Sequence, residues 1–192
     1  FDGVTATVLP GGTETSLTVM SPAHAIGTVE VRVTAAGGSS STAGAGNDYR
    51  YYGVPTITSL SPVRGPLGGT TVTITGTNLL GVTAITFDGS AATTFEATSD
   101  TSITVTAPAH AAGTVDVSVT TPGGSSSTTG TNDDFRYVAA PTVTAVTPAS
   151  GPVAGTNSVT ITGTNFVDVD PATGVTFGGT PADRKSTRLN SS

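Results

Sequence analysis

The chain alternates β-branched apolar residues with threonines over short stretches, and the clearest stretch lies near its middle. Thr71 to Phe87 reads T-V-T-I-T-G-T-N-L-L-G-V-T-A-I-T-F, with Gly-Thr-Asn interrupting the alternation. A period of two is typical of a strand with one buried face. The stretch therefore predicts a strand, a tight turn at Gly76 to Asn78 and a second strand. Its predicted core positions are Val72, Ile74, Ile85 and Phe87.

The same pattern recurs between Thr56 and Val138, and each segment is bounded by Gly, Pro, Asn or Asp. No stretch has a helical period. Short strands separated by turn residues favour an all-β fold, a two-sheet β-sandwich of about seven strands. The predicted strands are Thr56 to Leu60, Thr70 to Thr75, Ala84 to Phe87, Ala92 to Glu96, Ser102 to Thr106, Thr114 to Thr120 and Phe135 to Val138. Their further core positions are Ile103, Val105, Val115, Val117, Val119, Phe135 and Tyr137. Arg64 to Gly69 is predicted to be a turn-rich crossing between sheets, and Gly123 to Thr128 a loop before the last strand.

The strand pattern belongs to a longer internal repeat. When positions 1–62 are paired with 87–148, 33 of the 62 pairs are identical. A unit of about 86 residues is too long for a solenoid repeat and suits a small sandwich domain. Pro55 and Pro141 mark equivalent boundaries. The phasing predicts the trailing part of one unit at residues 1–53, a complete unit at 54–139 and the leading part of a third at 140–182.

Composition narrows the functional classes. The net charge of −6 argues against nucleic-acid binding, which needs clustered Lys and Arg. The chain has no cysteine, which excludes disulfides and Cys-based zinc sites. It also has no apolar run long enough to span a membrane, so no membrane insertion is expected. The units must therefore be held by apolar packing.

Two histidines are the first candidates for chemistry. His24 and His110 occupy equivalent places in P-A-H-A-x-G, and neither has a second His, a Cys or an acidic residue at ligand spacing. We interpret both as parts of exposed turns. No G-x-S-x-G motif places a nucleophile among the many serines. The sequence predicts no catalytic residue, no cofactor-binding residue, no metal ligand and no cofactor, and therefore no enzyme.

Acidic loops and a tyrosine cluster are the remaining candidates. Asn47-Asp48, Asn132 to Asp134 and Asp168 to Asp170 could offer oxygens to Ca²⁺, but none has a D-x-D-x-D-G frame. The first two are interpreted as solvated turns. Tyr49, Tyr51 and Tyr52 beside Arg50 could form a sugar-stacking platform. Tyr49 and Tyr51 align with alternating core positions, which leaves Tyr52 without an explanation.

These motifs resemble a known family. The order P-T-I-T-S-L-S-P, G-P-L-G-G-T-T-V-T-I-T-G-T-N-L, V-T-A-I-T-F-D-G, T-V-T-A-P-A-H-A-A-G-T-V-D-V-S-V and F-R-Y is similar to the IPT/TIG domain. The resemblance covers Pro55 to Tyr137 and the matching parts of both flanking units, and it implies an immunoglobulin-like sandwich. That family includes receptor ectodomains, Rel-type dimerisation domains, spacers in starch-active enzymes and bacterial surface repeats, so it implies little about function. The Ser/Thr/Gly-rich version seen here is most similar to the bacterial surface repeats.

The third unit departs from the pattern twice. It inserts Val167 to Ala172, and its composition changes at Asp183. The last ten residues, D-R-K-S-T-R-L-N-S-S, resemble the translated sequence of a common sequencing-library adapter throughout. We expect that 183–192 is not native protein; the alternative is a genuine basic tail. Long-read sequencing of the source locus distinguishes the two.

Together these features predict a non-catalytic spacer in a larger extracellular or cell-surface protein, with any signal peptide outside this sequence. The predicted partners are neighbouring repeats of the same chain. The residue before a proline favours extended backbone, so Val54-Pro55 and Ala140-Pro141 should limit hinge motion. The alternative is an adhesive or carbohydrate-binding module that recognises glycan or protein. Tyr52 and the insertion from Asp168 to Ala172 are the two features that favour this alternative.

Overall fold

A computed structural model describes residues 1–155, 157–170 and 173–182. The predicted adapter-derived segment 183–192 lies outside this part, as do the last two residues of the insertion, Pro171 and Ala172. The described residues form strands, with one short 3₁₀ helix at Ala45–Asn47. The expected all-β class and near absence of helix are confirmed.

The middle unit is a sandwich of two sheets. Its strands are β7 (Thr56–Ser61), β8 (Arg64–Gly65), β9 (Thr71–Thr77), β10 (Ala84–Phe87), β11 (Ser90–Ala91), β12 (Phe95–Ser99), β13 (Ser102–Thr106), β14 (Gly113–Thr121), β15 (Gly124–Ser125) and β16 (Asp134–Tyr137). In the first sheet, the spatial order is β12-β13-β9-β7. In the second sheet, the order is β11-β10-β14-β16-β8, and β15 pairs with β14. Every strand pair is antiparallel except β16 with β8.

The core lies between these two sheets because alternate residues of each strand face inward. All the core positions predicted for the middle unit are buried. Phe87 and Phe135 meet edge to face, with ring centroids 5.6 Å apart. Leu60 and Leu79 complete the same cluster. Of these, Leu79 has no place in the alternating pattern, because it lies in the connection between two strands.

The two strands predicted within Thr71 to Phe87 are present, but they do not pair with each other. β9 pairs with β7 and β13, whereas β10 pairs with β11 and β14 in the opposite sheet. β9 continues through Gly76 and Thr77, so the strand ends two residues later than predicted, at Thr77, and the predicted turn at Gly76 to Asn78 is displaced. Asn78 has φ +57°, and the next residue, Leu79, is buried as the chain crosses between sheets. A period of two identifies strands, but it does not say which strands pair.

Three smaller differences concern turn-rich segments. Arg64 to Gly69 was expected to be a turn-rich crossing, yet Arg64–Gly65 forms a short strand parallel to β16. The predicted strand at Ala92 to Glu96 is replaced by β11 and β12, which lie in different sheets. The Gly-Ser tract after β14 was expected to be a loop and instead pairs back on β14 as β15.

Within residues 1–53, and within 140–155, 157–170 and 173–182, the flanking units form short strand ladders without a second packed sheet. The first unit has three two-stranded ladders, β1-β2, β3-β6 and β4-β5, and the third unit has two, β17-β18 and β19-β20. Many of their apolar positions are therefore partly exposed. The strands are β1 (Thr7–Val8), β2 (Val19–Met20), β3 (Gly27–Glu30), β4 (Thr34–Ala35), β5 (Gly38–Ser39), β6 (Asp48–Tyr51), β17 (Thr142–Thr147), β18 (Thr160–Thr164), β19 (Thr176–Phe177) and β20 (Thr180–Pro181).

Candidate functional site

The two histidines do not lie in fully exposed turns as expected. Each also has an aspartate close to its Nε2, Asp2 at 3.8 Å from His24 and Asp88 at 4.0 Å from His110, which the sequence spacing did not indicate. His110 stacks on Tyr137 with ring centroids 5.1 Å apart, and about a fifth of its side chain is exposed. Its Nδ1 donates to the carbonyl of Ala111 at 3.0 Å. His24 repeats the arrangement on Tyr51 at 5.2 Å. Each histidine covers the tyrosine of its unit's last strand, which explains why the sequence places it in both units.

The acidic loop before β16 differs from its interpretation as a solvated turn. Asp133 is buried, and its Oδ2 has no hydrogen-bond partner among the described residues. Desolvation raises the pKa of nearby Asp116 above 3.8, and the carboxylates of Asp133, Asp134 and Asp88 raise it further. Over 1–155, 157–170 and 173–182, no group of three or more His, Asp or Glu residues has the geometry to hold a metal ion. The expectation of no metal site remains a prediction.

The tyrosine cluster does not form an open platform. Tyr49, Tyr51 and Phe1 pack edge to face, with centroid distances of 5.0 Å between the two tyrosines and 5.3 Å between Phe1 and Tyr49. This arrangement matches Phe135, Tyr137 and Phe87 in the middle unit. The ring contacts of Tyr49 and Tyr51 therefore repeat those of core residues in the middle unit, but Tyr49 itself is 42% exposed and not buried as predicted.

Tyr52, which the repeat pattern leaves unexplained, lies at the junction between the first two units. The Arg50 guanidinium carbon stands 5.1 Å from the centre of its ring. On another side the ring faces Gly81 of the middle unit, where a Cβ would lie only 2.5 Å from the tyrosine Cε1. Gly81 also has φ +76°. The glycine lets the tyrosine ring lie directly on the backbone of the next unit.

The backbone of the same junction is also held closely. A side chain at Gly123 would collide with the carbonyl oxygen of Gly53, so these two glycines bring the units into backbone contact. Asn78 donates from Nδ2 to the carbonyl oxygen of Val54 at 3.0 Å. The following residue, Pro55, is fully buried. We call this set of contacts the first junction.

The junction between the middle and third units, here the second junction, repeats one of these contacts. Asn165 donates from Nδ2 to the carbonyl oxygen of Ala140 at 3.1 Å, as Asn78 does to Val54. Both asparagines adopt positive φ, at +57° and +58°. Asparagine tolerates the left-handed conformation better than most residues, and its amide reaches the carbonyl before the junction proline. Sequence analysis assigned Asn78 only to a turn, although G-T-N in both units was a usable signal.

A different contact replaces the tyrosine at the second junction. Asp168 stands three residues after Asn165, as Gly81 does after Asn78, and it also has positive φ, +53°. Its Oδ2 lies 2.7 Å from Nη1 of Arg64 in the middle unit. The third unit's insertion therefore supplies an ion pair where the first junction has an aromatic ring on glycine. Sequence reasoning did not identify Arg64, because the pattern around it contains no sign of an acidic partner.

The two junctions lie at opposite ends of β14. The first contacts Gly123 and Gly124, just beyond the last residue of this strand, Thr121. The second follows Tyr137, which pairs with Gly113 at the strand's beginning. At about 3.4 Å per residue, nine residues separate the two ends by roughly 27 Å. The two junctions are therefore separated by the length of β14.

Comparison with known proteins identifies a family. No curated protein sequence matches the chain. Among solved structures, plexin A4's full extracellular region matches 84% of this chain and 14% of its own at 25% identity, TM-score 0.49. SGBP-B from a xyloglucan utilization locus of Bacteroides uniformis matches 55% and 29% at 26% identity, TM-score 0.36. The γ-CGTase of alkalophilic Bacillus clarkii matches 47% and 13% at 23% identity, TM-score 0.38.

This chain spans less than a third of each of these proteins, and TM-scores below 0.5 add nothing to an assignment. None of the residues that the structure describes lies in a helix that is long and apolar enough to cross a bilayer. The IPT/TIG family model, in contrast, matches residues 55–137 and 141–192, which is more than half of the chain. The chain therefore belongs to the IPT/TIG domain family.

Proposed function

We propose that this chain is a non-catalytic spacer of an extracellular or cell-surface protein, in which successive IPT/TIG units hold other domains at a set distance. The observation that carries the proposal is the structured contact at both junctions. Inter-unit contacts of this kind limit bending because each must break before a neighbour can swing freely. The neighbouring repeats are the chain's own partners in this role.

The contacts differ in how firmly they hold. The first junction is held by short-range packing contacts, of Tyr52 with Gly81 and of Gly53 with Gly123. Dissolved salt weakens such packing contacts very little. Arg64 and Asp168 are each about half exposed, and exposed ion pairs contribute little and weaken with salt. The first junction should therefore be the stiffer of the two, and only the second should depend strongly on ionic strength.

Small-angle X-ray scattering of the whole chain at low concentration tests the spacer. A compact globule of this length has a radius of gyration of about 16 Å. Three units in line give a larger value and an elongated distance distribution. A radius near that of the globule would contradict the proposal.

The second junction has a matched pair of variants. Arg64→Ala removes the ion pair, whereas Arg136→Ala removes an exposed arginine from the strand paired with it. We expect Arg64→Ala at low salt to broaden the distance distribution as high salt does in the unchanged chain. Arg136→Ala should leave it unaltered. If the two variants responded equally, the ion pair would not be what limits bending at the second junction.

A carbohydrate-binding or adhesive module is the second candidate function from the sequence. In the structure, both of the features that favour it contact a neighbouring unit. Tyr52 packs on Gly81, and Asp168 pairs with Arg64. Calorimetric titration of the whole chain with a xyloglucan oligosaccharide tests this candidate directly. We expect no heat of binding; micromolar binding that Tyr52→Ala abolishes would favour the module over the spacer.

A further inference from the structure

The two junctions share one contact and differ in another. At both, an asparagine amide donates to the carbonyl oxygen before the junction proline, at 3.0 and 3.1 Å. The residue three positions after this asparagine is Gly81 in the middle unit and Asp168 in the third. Gly81 meets the ring of Tyr52 from the preceding unit, whereas Asp168 meets the guanidinium of Arg64. We call the place occupied by Gly81 or Asp168 the variable junction position.

Tyr52 leaves no room for a side chain at the variable junction position of the next unit. A Cβ at residue 81 would lie 2.5 Å from the Cε1, 3.1 Å from the Cζ and 3.2 Å from the hydroxyl oxygen of Tyr52. Carbon atoms in favourable contact lie about 3.5–4.0 Å apart. The Arg50 guanidinium carbon also stands 5.1 Å from the ring centre, so displacing the ring would break a second contact. A tyrosine near the end of one unit therefore requires glycine in the next.

The second junction has different residues at the same places. Val138 lies 86 residues after Tyr52 in the repeat, so a short aliphatic side chain replaces the ring. The shorter side chain leaves space for a Cβ at residue 168, and Asp168 places its Oδ2 2.7 Å from Nη1 of Arg64. The third unit has Ser150 where the middle unit has this arginine. The arginine is therefore not a constant part of the repeat.

We propose that these residues determine which unit can follow which in the array. A tyrosine near the end of one unit selects glycine at the variable junction position of the next unit. A valine at that place, together with an arginine in the proline-rich turn of the same unit, selects aspartate. The inference rests on the proposed spacer role, because the order of units matters only where successive units pack on each other. Exchanged pairs are disfavoured, since aspartate collides with the tyrosine ring and glycine leaves the arginine unpaired.

The second junction can be converted to the type of the first. Val138→Tyr alone places a ring against the aspartate, and Asp168→Gly alone removes the carboxylate of the ion pair. The double variant should restore a matched pair, with the tyrosine ring lying on glycine. Arg136 lies 86 residues after Arg50, so the new ring would also have an arginine at the place from which Arg50 contacts Tyr52.

Pulsed electron paramagnetic resonance across the second junction measures the result. Spin labels at Glu96→Cys and Thr160→Cys occupy exposed strand positions of the middle and third units. At low salt, each single variant should lose the narrow distance distribution of the unchanged chain, and the double variant should recover it. The recovered distribution should not depend on ionic strength, because packing has replaced the ion pair.

The coupling between the two substitutions decides the outcome. A double variant as broad as its broader single variant would overturn the selection of matched pairs. The spacer role would survive that result, because the unchanged chain would still give a narrow distribution. A broad distribution in the unchanged chain would contradict the spacer role and the selection together.

The first junction offers the reverse exchange, with spin labels at Thr28→Cys and Glu96→Cys. Gly81→Asp should broaden the distance distribution because the new side chain meets the ring. Adding Tyr52→Val should narrow it again, although not to the original width, because the tyrosine packing is lost. This exchange uses none of the residues altered at the second junction, so misfolding of one set of variants leaves the other test intact.

Gly69→Asp is the matched control for the reverse exchange. Gly69 has φ +79°, close to the +76° of Gly81, but a Cβ there would have nothing within 4 Å. Both substitutions therefore impose similar backbone strain, and aspartate already adopts positive φ at Asp168. Gly69→Asp should leave the distribution narrow, and the thermal transition of the middle sandwich should show that each variant is folded. Equal widths for Gly69→Asp and Gly81→Asp would contradict selection by the tyrosine ring.

Discussion

The middle unit and its two neighbours share one sequence pattern and differ in what covers it. Tyr51 and Tyr137 each stack under a histidine and donate to a proline carbonyl, to Pro22 at 2.8 Å and to Pro108 at 2.9 Å. Only Tyr137 also lies beneath a second packed sheet. Local contacts are therefore encoded within a short stretch, whereas the core requires strands from both ends of the unit. Among the described residues, the closed core is therefore present only in the unit that contains strands from both ends of the repeat.

The largest expected difference comes from one aromatic position in the two environments. Phe135→Ala should lower the free energy of unfolding of the middle unit by about 3–5 kcal/mol, because it leaves a cavity between closed sheets. Tyr49→Ala, at the equivalent position of the first unit, should lower the free energy of unfolding by less than about 1 kcal/mol, because that ring is half exposed and water can replace it. Urea unfolding followed by circular dichroism at low concentration measures both. Equal losses would contradict the contrast between a closed and an open core.

A smaller difference is expected at the tyrosine hydroxyls. Tyr137→Phe leaves the carbonyl of Pro108 without its donor and should destabilise the middle unit by about 1 kcal/mol. In the first unit, Tyr51→Phe frees the carbonyl of Pro22 where water has better access. Its effect should be close to zero in the same urea experiment. A cost at Tyr51 as large as at Tyr137 would mean that the first unit is as well packed as the middle one.

Asp116 gives the middle unit a pH dependence of known sign. Because its pKa is raised in the folded state, the folded chain binds more protons near that pKa, so stability falls as pH rises from 3.8 through the raised value. Asp134→Asn removes one neighbouring carboxylate and should flatten this slope while stabilising the unit at neutral pH. Glu96→Gln, on the other sheet, is the control and should leave the slope unchanged. A steeper slope in Asp134→Asn would contradict repulsion as a cause of the shift.

The smallest expected effect lies at alkaline pH. Burial raises the pKa of Tyr137 above 10.0, so the stability of the middle unit should decrease as pH rises beyond about 10. Tyr137→Phe should remove this decrease, and Tyr51→Phe should not. Thermal melting between pH 9 and 11 (roughly one unit on either side of the ordinary tyrosine pKa) measures it. If Tyr137→Phe lost the same stability at alkaline pH, groups other than Tyr137 would be the cause.

Sequence reasoning succeeded where one short segment determines the outcome. Alternation located Val72, Ile74, Val117 and Phe135 in the core because side-chain direction follows directly from the period of a strand. It did not show that β9 and β10 lie in different sheets, since pairing depends on which distant strands compete for the same edge. Ala84–Phe87 and Ser102–Thr106 have the predicted bounds, with Gly or Asp close to each.

The junctions could be predicted only in part. Proline at positions 55 and 141 indicated where units meet, but no pattern in the sequence indicated that Tyr52 would pack on Gly81 or that Arg64 would pair with Asp168. These contacts join residues from different units, and their sequence neighbours carry no periodic signal for them. Tyr52 and the insertion were the two irregular features of the repeat. In the structure, both of these features contact a neighbouring unit.

A measured distance between the first two units tests the central claim. That claim is that a structured junction makes the array a semi-rigid spacer. Spin labels at Thr28→Cys and Glu96→Cys, both exposed strand positions, can be introduced into this cysteine-free chain. Dilution with unlabelled chains removes signals between copies.

Pulsed electron paramagnetic resonance should give one narrow distance distribution in the labelled chain. Tyr52→Ala should broaden it, because the ring that rests on Gly81 is lost, while Tyr51→Phe should leave it narrow. A distribution that is already broad in the unchanged chain, and insensitive to Tyr52, would contradict the account.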